Sequence, residues 1–549
     1  MWVMAPRVRR PVAPRAGAKA PAPKSRRSRA VWCVGSIALA TVVGLCIGNV
    51  YLMDGAREQE DARVLRGALR GSDQAAVHQS AFHAAPGSQG LQASAAVVSD
   101  PKWAQRREAV VGAMRHAWKG YKEAAWGQDE LAPRGRHGMK WFGMGLTLID
   151  SLDTLWLMDM KAEFHEAQQW VSSSFHPMHT GNVNLFECTI RIVGGLLSAF
   201  ALSGEKIFLT KAAETADGMM PAFKTASGIP HSDVNLARGT ADDPGPGGNV
   251  GISEPSSIQL EYRYLSRATG DPKYRQVADK AMDVLLSLPK RDGLADMFVS
   301  SRSGRSAGGR ITLGARVDSY YEYLLKQWLQ TGKSEKKFEV AWKDAVAGIK
   351  KHLVKTSAGP KKLTYIAEME GSNSIPKMDH LVCFLAGSLA LGSKHNAGDI
   401  NLARKIGETC IEMYDTPAGL APEIVHFHEH SDPTDMYIKD ADAHHLLRPE
   451  TVESLFYLWR ITGEERWREA GWKMFEAWEK NTKVSSGGYS SLHSVLRLPL
   501  SLRDKMESFF PAETLKYLFL LFDDTWTEKL SLDQWVFNTE AHPLPVWKS

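Results

Sequence analysis

Long stretches of the chain repeat apolar residues with a period near 3.6, which is the pattern of amphipathic helices. Several of these stretches end in a small or hydroxyl residue and a glycine, and a second amphipathic stretch soon follows. These glycines are Gly204, Gly270, Gly332, Gly392 and Gly463. Glycine just past a helix end is the usual left-handed terminator. The intervals of 66, 62, 60 and 71 residues each have room for two helices, so the pattern predicts a repeated helical hairpin.

The folded part is expected to run from about Lys102 to Ser549, a length that holds about seven such hairpins. Alternating β-patterns as long as these helices are missing from the sequence. Stretches such as TVESLFYLWRIT and ETLKYLFLLF are apolar on most sides, which predicts helices buried inside a second helical layer. We therefore expect an all-α fold, an (α/α) barrel in which one set of helices encloses another. An open helical solenoid is the alternative.

Ahead of the folded part, the 23 residues from Val31 to Met53 carry no charge. A helix of that length rises roughly 35 Å, enough to cross a hydrocarbon core of about 30 Å. Nine basic residues and no acidic residue precede it, so the positive-inside rule puts residues 1–30 in the cytosol. We expect a transmembrane signal anchor at 31–53, a flexible lumenal stem at 54–101 and a catalytic domain at 102–549. A cleaved signal peptide is the alternative for the apolar segment.

Composition and charge exclude several classes of function. The 549 residues include 67 basic and 62 acidic ones, a formal net charge of +5, but without residues 1–30 the count is 58 against 62. The basic character belongs to the tail, so a nucleic-acid-binding surface on the folded domain is not supported. Five cysteines without a CxxC pair argue against a disulfide scaffold or a zinc site. The P-loop signature GxxxxGK[ST] is also missing.

A carboxylate recurs at the predicted start of each helix that ends in one of the five glycines. These carboxylates lie 13 to 17 residues before the glycines, at Glu187, Glu254, Asp318, Asp379 and Glu450. Glu513 repeats the position ahead of the last helix. In a closed ring these helix starts share one face, so the carboxylates should converge on one cavity. The simpler alternative is that any helix favours acids in its first turn, by about 0.3 to 1 kcal/mol.

Aromatic and basic neighbours in NLFECTIRI, GARVDSYYEY and LLRPETVES favour a pocket. Carboxylates clustered in a pocket repel one another, which raises the pKa of some of them. Hydrolysis of a glycosidic bond needs one protonated carboxyl for the leaving oxygen and one ionised carboxylate for the attacking water. The remaining carboxylates and aromatic rings would bind sugar hydroxyls and sugar faces. The pattern therefore predicts a glycoside hydrolase.

The motifs from HGMKWFGMGLTLIDSLDTLWLM (137–158) to FNTEAHPL (537–544) resemble, in order, those of glycoside hydrolase family 47. These are the class I α-1,2-mannosidases that trim high-mannose N-glycans in the secretory pathway. The resemblance implies an (α/α)7 barrel and inverting hydrolysis assisted by bound Ca2+. It also implies that the partners are high-mannose N-glycans on glycoproteins, and that a monomeric catalytic domain is held at the endoplasmic reticulum or Golgi membrane.

The resemblance assigns roles to individual residues. Glu187 matches the acid that protonates the leaving oxygen through a water, Glu450 the general base and Asp318 the third catalytic acid. Thr539 matches the calcium residue, which offers a carbonyl and a hydroxyl oxygen to a hard cation. The positions that match the lining of the sugar site are Arg191, Glu254, Asp379, His380, Glu423, Arg448, Glu453, Phe509, Glu513 and Glu540. Phe509 would lie against the apolar face of the cleaved mannose.

Arg316 matches the endoplasmic-reticulum members, whereas Golgi members typically have Leu at this position. Arginine bridges several hydroxyls with five fixed donors, which implies removal of one middle-branch mannose from the nine-mannose glycan. Cys383 and Cys410 match the family's disulfide, in keeping with an oxidising lumen. Cys188 replaces an expected Val or Thr and is interpreted as buried filler. Pro511 also departs from the family and is expected to alter the first turn of the last helix.

Three alternatives stay open at the level of sequence. A Golgi-type mannosidase would trim the glycan further. A lectin-like relative would bind mannose on misfolded glycoproteins and direct them to degradation; retention of the three acids, Thr539 and the cysteine pair argues against it. A purely structural helical scaffold would turn its acids outward, separately from one another.

Overall fold

A computed structural model describes residues 100–243 and 247–547. The predicted anchor at 31–53 and all but the last two residues of the predicted stem lie outside these ranges. The described residues contain eighteen α-helices: α1 Pro101–Ala125, α2 Leu146–Asp150, α3 Leu152–Leu157, α4 Lys161–Ser173, α5 Leu185–Glu187, α6 Gly194–Ser203, α7 Lys206–Met219, α8 Ser253–Ser256, α9 Gln259–Thr269, α10 Lys273–Ser287, α11 Asp318–Gln330, α12 Lys336–Gly348, α13 Phe384–Ser393, α14 Ile400–Glu412, α15 Glu450–Thr462, α16 Arg466–Asn481, α17 Leu515–Phe522 and α18 Trp526–Lys529.

Short antiparallel strands connect the helices and form small two- and three-stranded sheets. Over the same ranges the strands are β1 Glu130–Ala132, β2 His137–Met139, β3 Asn182–Asn184, β4 Asp233–Asn235, β5 Thr240–Asp242, β6 Asn249–Gly251, β7 Phe298–Ser300, β8 Ser306–Gly308, β9 Val354–Thr356, β10 Thr364–Ile366, β11 Glu368–Glu370, β12 Asn373–Ile375, β13 Lys377–Asp379, β14 Ile424–Phe427, β15 Met436–Tyr437, β16 Trp535–Phe537 and β17 Pro543–Pro545.

The helices form a closed double ring. The inner ring runs in the order α3, α6, α9, α11, α13, α15 and α17, each in contact with the next, and the turn that leads into α17 contacts α3. An outer ring surrounds it, in which each helix packs most extensively on one inner helix in the same order: α4, α7, α10, α12, α14, α16 and α1. The predicted (α/α) barrel of seven helical pairs is therefore confirmed. The contact between α3 and the turn that leads into α17 closes the ring and excludes an open solenoid.

Burial follows from the layer in which a helix lies. Every residue of α17 is buried, because α17 is enclosed by the inner helix α15 and by the outer helices α16 and α1. The outer helix α10 buries a single stripe, from Tyr274 through Ala278 and Ala281 to Leu285. That spacing keeps one helical face on the core and leaves the opposite face in water.

The turn glycines largely behave as predicted. Gly204, Gly270 and Gly463 follow α6, α9 and α15 with φ of 78°, 77° and 68°, the left-handed conformation that glycine adopts without steric cost. The prediction for Gly392 is wrong, because this residue lies inside α13 and the left-handed residue comes later, at Asn396. A Cβ on Gly392 would lie 2.8 Å from the carbonyl oxygen of Ala397, so close backbone packing explains the glycine there.

One helical stretch within the described ranges, Leu185–Ser203, is long and apolar enough to cross a membrane. It is mostly buried in the protein, as the inner helix of a barrel must be, and it includes the π-helical turn Cys188–Val193. A disulfide joins Cys383, in the turn before α13, to Cys410 in α14, which is the pair that the resemblance implied.

The hairpin of β16 and β17 packs against the inner helices α6, α9 and α11. Its connecting loop, residues 538–542, comes very close to α6. A Cβ on Gly194 would lie 2.7 Å from Nδ2 of Asn538, and one on Gly195 would lie 3.3 Å from Cε1 of His542. Two successive glycines in α6 therefore make room for the loop that carries Thr539.

Candidate active site

Most of the predicted carboxylates lie at or just before the starts of the inner helices. Glu254 lies in the short helix α8 ahead of α9, and the predicted helix start at Asp379 is wrong, because this residue ends strand β13. Asp318 and Glu450 are the first residues of α11 and α15. Glu187 lies just before the π-helical turn that leads into α6, and Glu513 lies in a second π-helical turn, Phe510–Thr514, before α17. Pro511 stands at the beginning of this second turn, so the first turn of the last helix does depart from regular α-geometry.

These carboxyls are close enough to change one another's pKa. Burial, together with the charges of Glu322 and Glu450, raises the pKa of Asp318 to about 7. Burial and the charges of Glu540 and Glu450 raise the pKa of Glu513 well above its usual value. The structure thus brings together carboxyls that are far apart in the sequence, and some of them hold a proton near neutral pH.

Glu450 is held in the opposite protonation state. Nδ1 of His380 lies 2.9 Å from Oε2 of Glu450, and Nη1 of Arg448 lies 3.7 Å from Oε1. Burial raises the pKa of the Glu450 carboxyl, but His380 and Arg448 more than offset this, so its pKa lies below the usual value. Asp318 and Glu450 therefore form a pair in which one carboxyl stays protonated to about pH 7 while the other is ionised.

Glu187 is fixed by its neighbours in the sequence and in the barrel. The Asn184 side chain accepts a hydrogen bond from the Glu187 amide at 3.0 Å and donates to Oε2 of Glu254 at 3.3 Å. Nε of Arg191 donates to Oε2 of Glu187 at 2.9 Å, and Arg191 also pairs with Glu540. Burial raises the pKa of Glu187, and the Arg191 guanidinium outweighs this, so the carboxyl is ionised near neutral pH.

Phe509 lies between two cations. Its ring centre is 5.8 Å from the guanidinium carbon of Arg191 and 6.0 Å from that of Arg448. Arg448 is itself paired with Glu423, whose two carboxylate oxygens accept from Nε at 2.8 and 2.7 Å. The aromatic ring and the two guanidinium groups thus form one wall next to the carboxylates.

Asp379 supports the loop that leads into Asp318. The amide of Ala315 donates to Oδ2 of Asp379 at 3.5 Å, and a Cβ on Gly314 would lie only 2.3 Å from the same oxygen. The next residue, Arg316, has φ of 78°, and its guanidinium carbon lies 5.6 Å from the centre of the Phe298 ring. Arg316 therefore extends from a tightly constrained loop two residues before Asp318.

Sequence reasoning missed Glu322 and Lys326, which follow Asp318 at intervals of four residues along α11. Both are buried; Nζ of Lys326 pairs with Glu322 and lies 3.5 Å from Oε1 of Glu453. Burial and the charges of Glu322 and Glu450 raise the pKa of Glu453 to about 8 against the opposing effect of Lys326. The four-residue spacing in DSYYEYLLK, which puts all three charges on one helical face, was the available signal.

Thr539 is half-buried in the loop between β16 and β17, and its amide lies 3.4 Å from the Tyr323 hydroxyl. In the described ranges, three His, Cys, Asp or Glu side chains are nowhere grouped so as to hold a metal together. A cation next to Thr539 would therefore need the neutral oxygens of this residue and water. Neighbouring Glu540, whose pKa is raised to about 8 by burial, with Asp150 and Glu187 adding to the effect, belongs to a region of concentrated negative charge that favours a hard cation.

Two other groups complete the description of the site. Cys188 is fully buried, and burial raises the pKa of its thiol, which agrees with its interpretation as filler.

A second set of charged residues that the sequence reasoning missed lies buried behind the Thr539 loop. It consists of Asp150, Asp153, Lys516 and His542.

Comparison with known proteins identifies relatives. The profile of glycosyl hydrolase family 47 matches residues 113–546. The human endoplasmic reticulum mannosyl-oligosaccharide 1,2-alpha-mannosidase is 50% identical over 451 residues, which cover 80% of this chain and 64% of the human protein, less than two thirds of its length. The mannosyl-oligosaccharide 1,2-alpha-mannosidase of Candida albicans is 42% identical over 477 residues, covering 81% and 84%. The structure of an alpha-1,2-mannosidase from Trichoderma reesei aligns with a TM-score of 0.76 and 28% identity over 81% of this chain and 99% of that one.

Replacing Asp318 by Asn is expected to raise the free energy of unfolding more at pH 8 than at pH 5. A carboxyl with a pKa of about 7 in the folded state and about 4 in the unfolded state binds its proton more tightly when folded, so stability falls as the pH rises through this interval. The neutral amide avoids that loss, which reaches at most about 4 kcal/mol above pH 7. Urea unfolding in excess chelator measures the difference.

Asp399→Asn is the control for this comparison. Asp399 caps α14 and pairs with Lys350, and these hydrogen bonds lower the pKa of its carboxyl, so its replacement should destabilise the protein at both pH values. An effect of Asp318→Asn that is the same at pH 5 and pH 8 would show that Asp318 is not protonated in the folded protein.

Proposed function

The chain belongs to glycosyl hydrolase family 47, and we propose that it removes terminal α-1,2-linked mannose from high-mannose N-glycans on glycoproteins, as a step of N-glycan processing and glycoprotein quality control. The named activity of the human and Candida relatives supports this substrate. The observation that carries the proposal is the pair of neighbouring carboxyls in opposite states, ionised Glu450 and protonated Asp318. Hydrolysis of a glycosidic bond with inversion requires such a pair.

In the proposed reaction, Glu450 takes a proton from a water molecule as the water oxygen bonds to the anomeric carbon of the terminal mannose. The bond between that carbon and the leaving oxygen breaks at the same time, and the leaving oxygen takes up a proton. Attack from the face opposite the leaving group gives β-mannose. His380 and Arg448 support the base, because both stabilise the ionised form of Glu450.

The proton for the leaving oxygen is available at Asp318, whose pKa of about 7 leaves about half of these carboxyls protonated at pH 7. Glu187, which the resemblance makes the acid, is ionised beside Arg191 and would deliver a proton through water only after receiving one. We therefore assign the proton-donating side of the reaction to Asp318 and Glu187 together. Phe509, between Arg191 and Arg448, would contact the apolar face of the sugar while the two guanidinium groups bind hydroxyls.

We further propose that the site takes Ca2+ at Thr539. Neutral oxygens and nearby carboxyls suit this hard cation, and burial together with the charges of neighbouring carboxylates raises the pKa values of Glu513 and Glu540. When bound, calcium would supply a positive charge that holds sugar hydroxyls and favours the ionised carboxylates. The acids nearby would act on it through coordinated water.

We propose the endoplasmic reticulum type of specificity, removal of one mannose, because of Arg316 on its constrained loop. We also propose that residues 31–53 anchor the protein in the membrane as a single-pass type II protein, with residues 54–101 as the stem and a monomeric catalytic domain in the lumen. The uncharged run and the basic residues before it support this orientation. Relatives named for the endoplasmic reticulum support that compartment.

Glu450→Gln is expected to lower turnover of a nine-mannose glycan by at least about a thousandfold with little change in glycan affinity, since the amide keeps the shape but not the basicity of the carboxylate. Release of free mannose measures turnover, and calorimetry measures affinity. Glu469→Gln, on the outer helix α16 in an ion pair with Lys102, should leave both unchanged. Normal turnover by Glu450→Gln would remove this residue from the mechanism, and lack of mannose release by the unaltered protein would favour the lectin-like alternative.

Arg316→Leu is expected to let trimming continue past the first mannose, because the donors that select one branch geometry are lost. Mass spectrometry and chromatography of the glycan isomers over time give the product pattern. Arg275→Leu, on the exposed side of α10, is the matched control and should stop at the same product as the unaltered protein. A single identical product from Arg316→Leu would contradict the role of Arg316, and extensive trimming by the unaltered protein would favour the Golgi type.

Removal of calcium with a chelator is expected to abolish turnover and to lower the melting temperature, since a ligand that binds only the folded state stabilises it. Adding Ca2+ back should restore both. Differential scanning fluorimetry and mannose release, measured on the same samples, provide the test. Full activity together with an unchanged melting temperature in thoroughly chelated protein would contradict the assignment of Thr539.

A further inference from the structure

The loop that carries Thr539 is held from behind by Asp150, Asp153, Lys516 and His542, which we call the buried charge cluster. All four side chains are fully buried. They come from α2, α3, α17 and the Thr539 loop itself, so the cluster joins the first and the last parts of the barrel. Two acidic and two basic groups face one another there without access to water.

The His542 ring is clamped between the two aspartates. Its Nδ1 lies 2.8 Å from Oδ2 of Asp153, and its Nε2 lies 3.1 Å from Oδ1 of Asp150. A carboxylate accepts but does not donate, so both ring nitrogens must carry hydrogens, and the ring is a cation held at both ends. Burial lowers the pKa of His542, but Asp153 and the hydrogen bonds to both aspartates outweigh it, so the net shift is upward.

Further contacts fix the aspartates and the loop. Lys516 Nζ lies 2.8 Å from Oδ1 of Asp153 and donates to the Ala541 carbonyl at 2.8 Å. The hydroxyl of Ser198 donates to Asp153 at 2.8 Å, and that of Ser508 donates to Asp150 at 2.6 Å. The buried charge cluster therefore binds the loop at two points, the His542 ring and the Ala541 carbonyl.

These contacts are needed because the backbone of the loop adopts an unfavourable conformation. Ala541 has φ of 59°, a left-handed conformation in which the Cβ of a non-glycine residue lies too close to the following carbonyl oxygen. The Asn538 side chain closes the loop on itself by accepting from the amides of Glu540 and His542 at 2.9 and 2.8 Å. It also donates to the Ile190 carbonyl at 2.9 Å.

The same cluster reaches the opposite side of the candidate site. Oδ2 of Asp150 lies 3.7 Å from Nη1 of Arg191, which also pairs with Glu187 and Glu540. Asp150 thus contacts the cation of the Thr539 loop on one side and the cation that orients Glu187 on the other. A displacement of the His542 ring would therefore change the positions of both Thr539 and Glu187.

Stability alone does not account for this arrangement. Burying charged groups carries a large desolvation cost, and well-packed apolar residues of similar volume often stabilise a core as well or better. Charges are justified where a group must be held in one position by directional contacts. We propose that His542 is a positioning residue, which fixes the Thr539 loop relative to the Arg191–Glu187 pair and so sets the affinity of the site for calcium. This inference rests on the calcium site proposed above.

The test compares calcium binding with stability in His542→Gln. Isothermal titration with Ca2+ should give a dissociation constant raised about tenfold or more, the usual effect of losing a group that orients a metal-binding residue. A merely structural role would lower the melting temperature of the chelated protein without changing the calcium constant. An unchanged constant in His542→Gln would overturn the inference.

Arg263→Met is the matched control. Arg263 is also a buried cation between two carboxylates, at 2.6 Å from Asp279 and 3.2 Å from Glu335, but its partners belong to the outer layer. We expect it to lower the melting temperature while the calcium constant stays within twofold of the unaltered protein. A tenfold change in this control as well would show that general destabilisation moves the constant, and would also overturn the inference.

Ser198→Ala provides a second test that can be carried out even if His542→Gln does not fold. It removes only one hydrogen bond to Asp153, and the calcium constant should rise about threefold by analogy with small losses around a metal site; no rise would overturn the inference. The unaltered protein separates the two proposals. If it binds no calcium, the calcium site and the role of His542 both fail, whereas calcium binding that His542→Gln leaves intact rejects the role of His542 alone.

Discussion

Carboxyl groups repel one another, and a buried ring of them can exist only where cations or protons offset the repulsion. In this barrel the placement of the cations decides which group does what. Glu450 and Glu423 have Arg448 and His380 beside them and are ionised. Over the described ranges, Asp318 forms no ion pair with a basic side chain, and burial with the charges of Glu322 and Glu450 raises its pKa to about 7. A division between acid and base thus arises from the positions of a few basic side chains on neighbouring helices.

Strained backbone surrounds the same groups. Arg316, Leu447 and Ala541 have φ of 78°, 63° and 59°, and they lie two residues before Asp318, one before Arg448 and one after Glu540. Left-handed conformations at non-glycine residues persist only where the surroundings enforce them, and they concentrate at functional sites. Here the barrel enforces them, through contacts such as those of Asp379 with the loop before Asp318 and of Lys516 with the Ala541 carbonyl.

Much of the fold is predictable from local sequence patterns. The helical period and the turn glycines predict the ring of helical hairpins, because each of these patterns depends on residues near one another in the chain. The prediction of a turn at Gly392 is wrong, since a glycine is needed there because the Ala397 backbone lies close to it. Glu322 and Lys326 were within reach of sequence reasoning as a four-residue pattern on α11. The contact of His542 with Asp150 was not, because it joins residues 392 positions apart and depends on how the barrel closes.

In the proposed reaction a base and a proton donor act from opposite sides of one terminal mannose. Proton NMR of a freshly started reaction with a nine-mannose glycan tests this most directly, because it resolves the anomers of free mannose before they interconvert. We expect β-mannose to appear first and α-mannose to follow only as the product equilibrates. If α-mannose appeared first, the bond would be cleaved with retention and the pairing of Glu450 with a water molecule would be wrong.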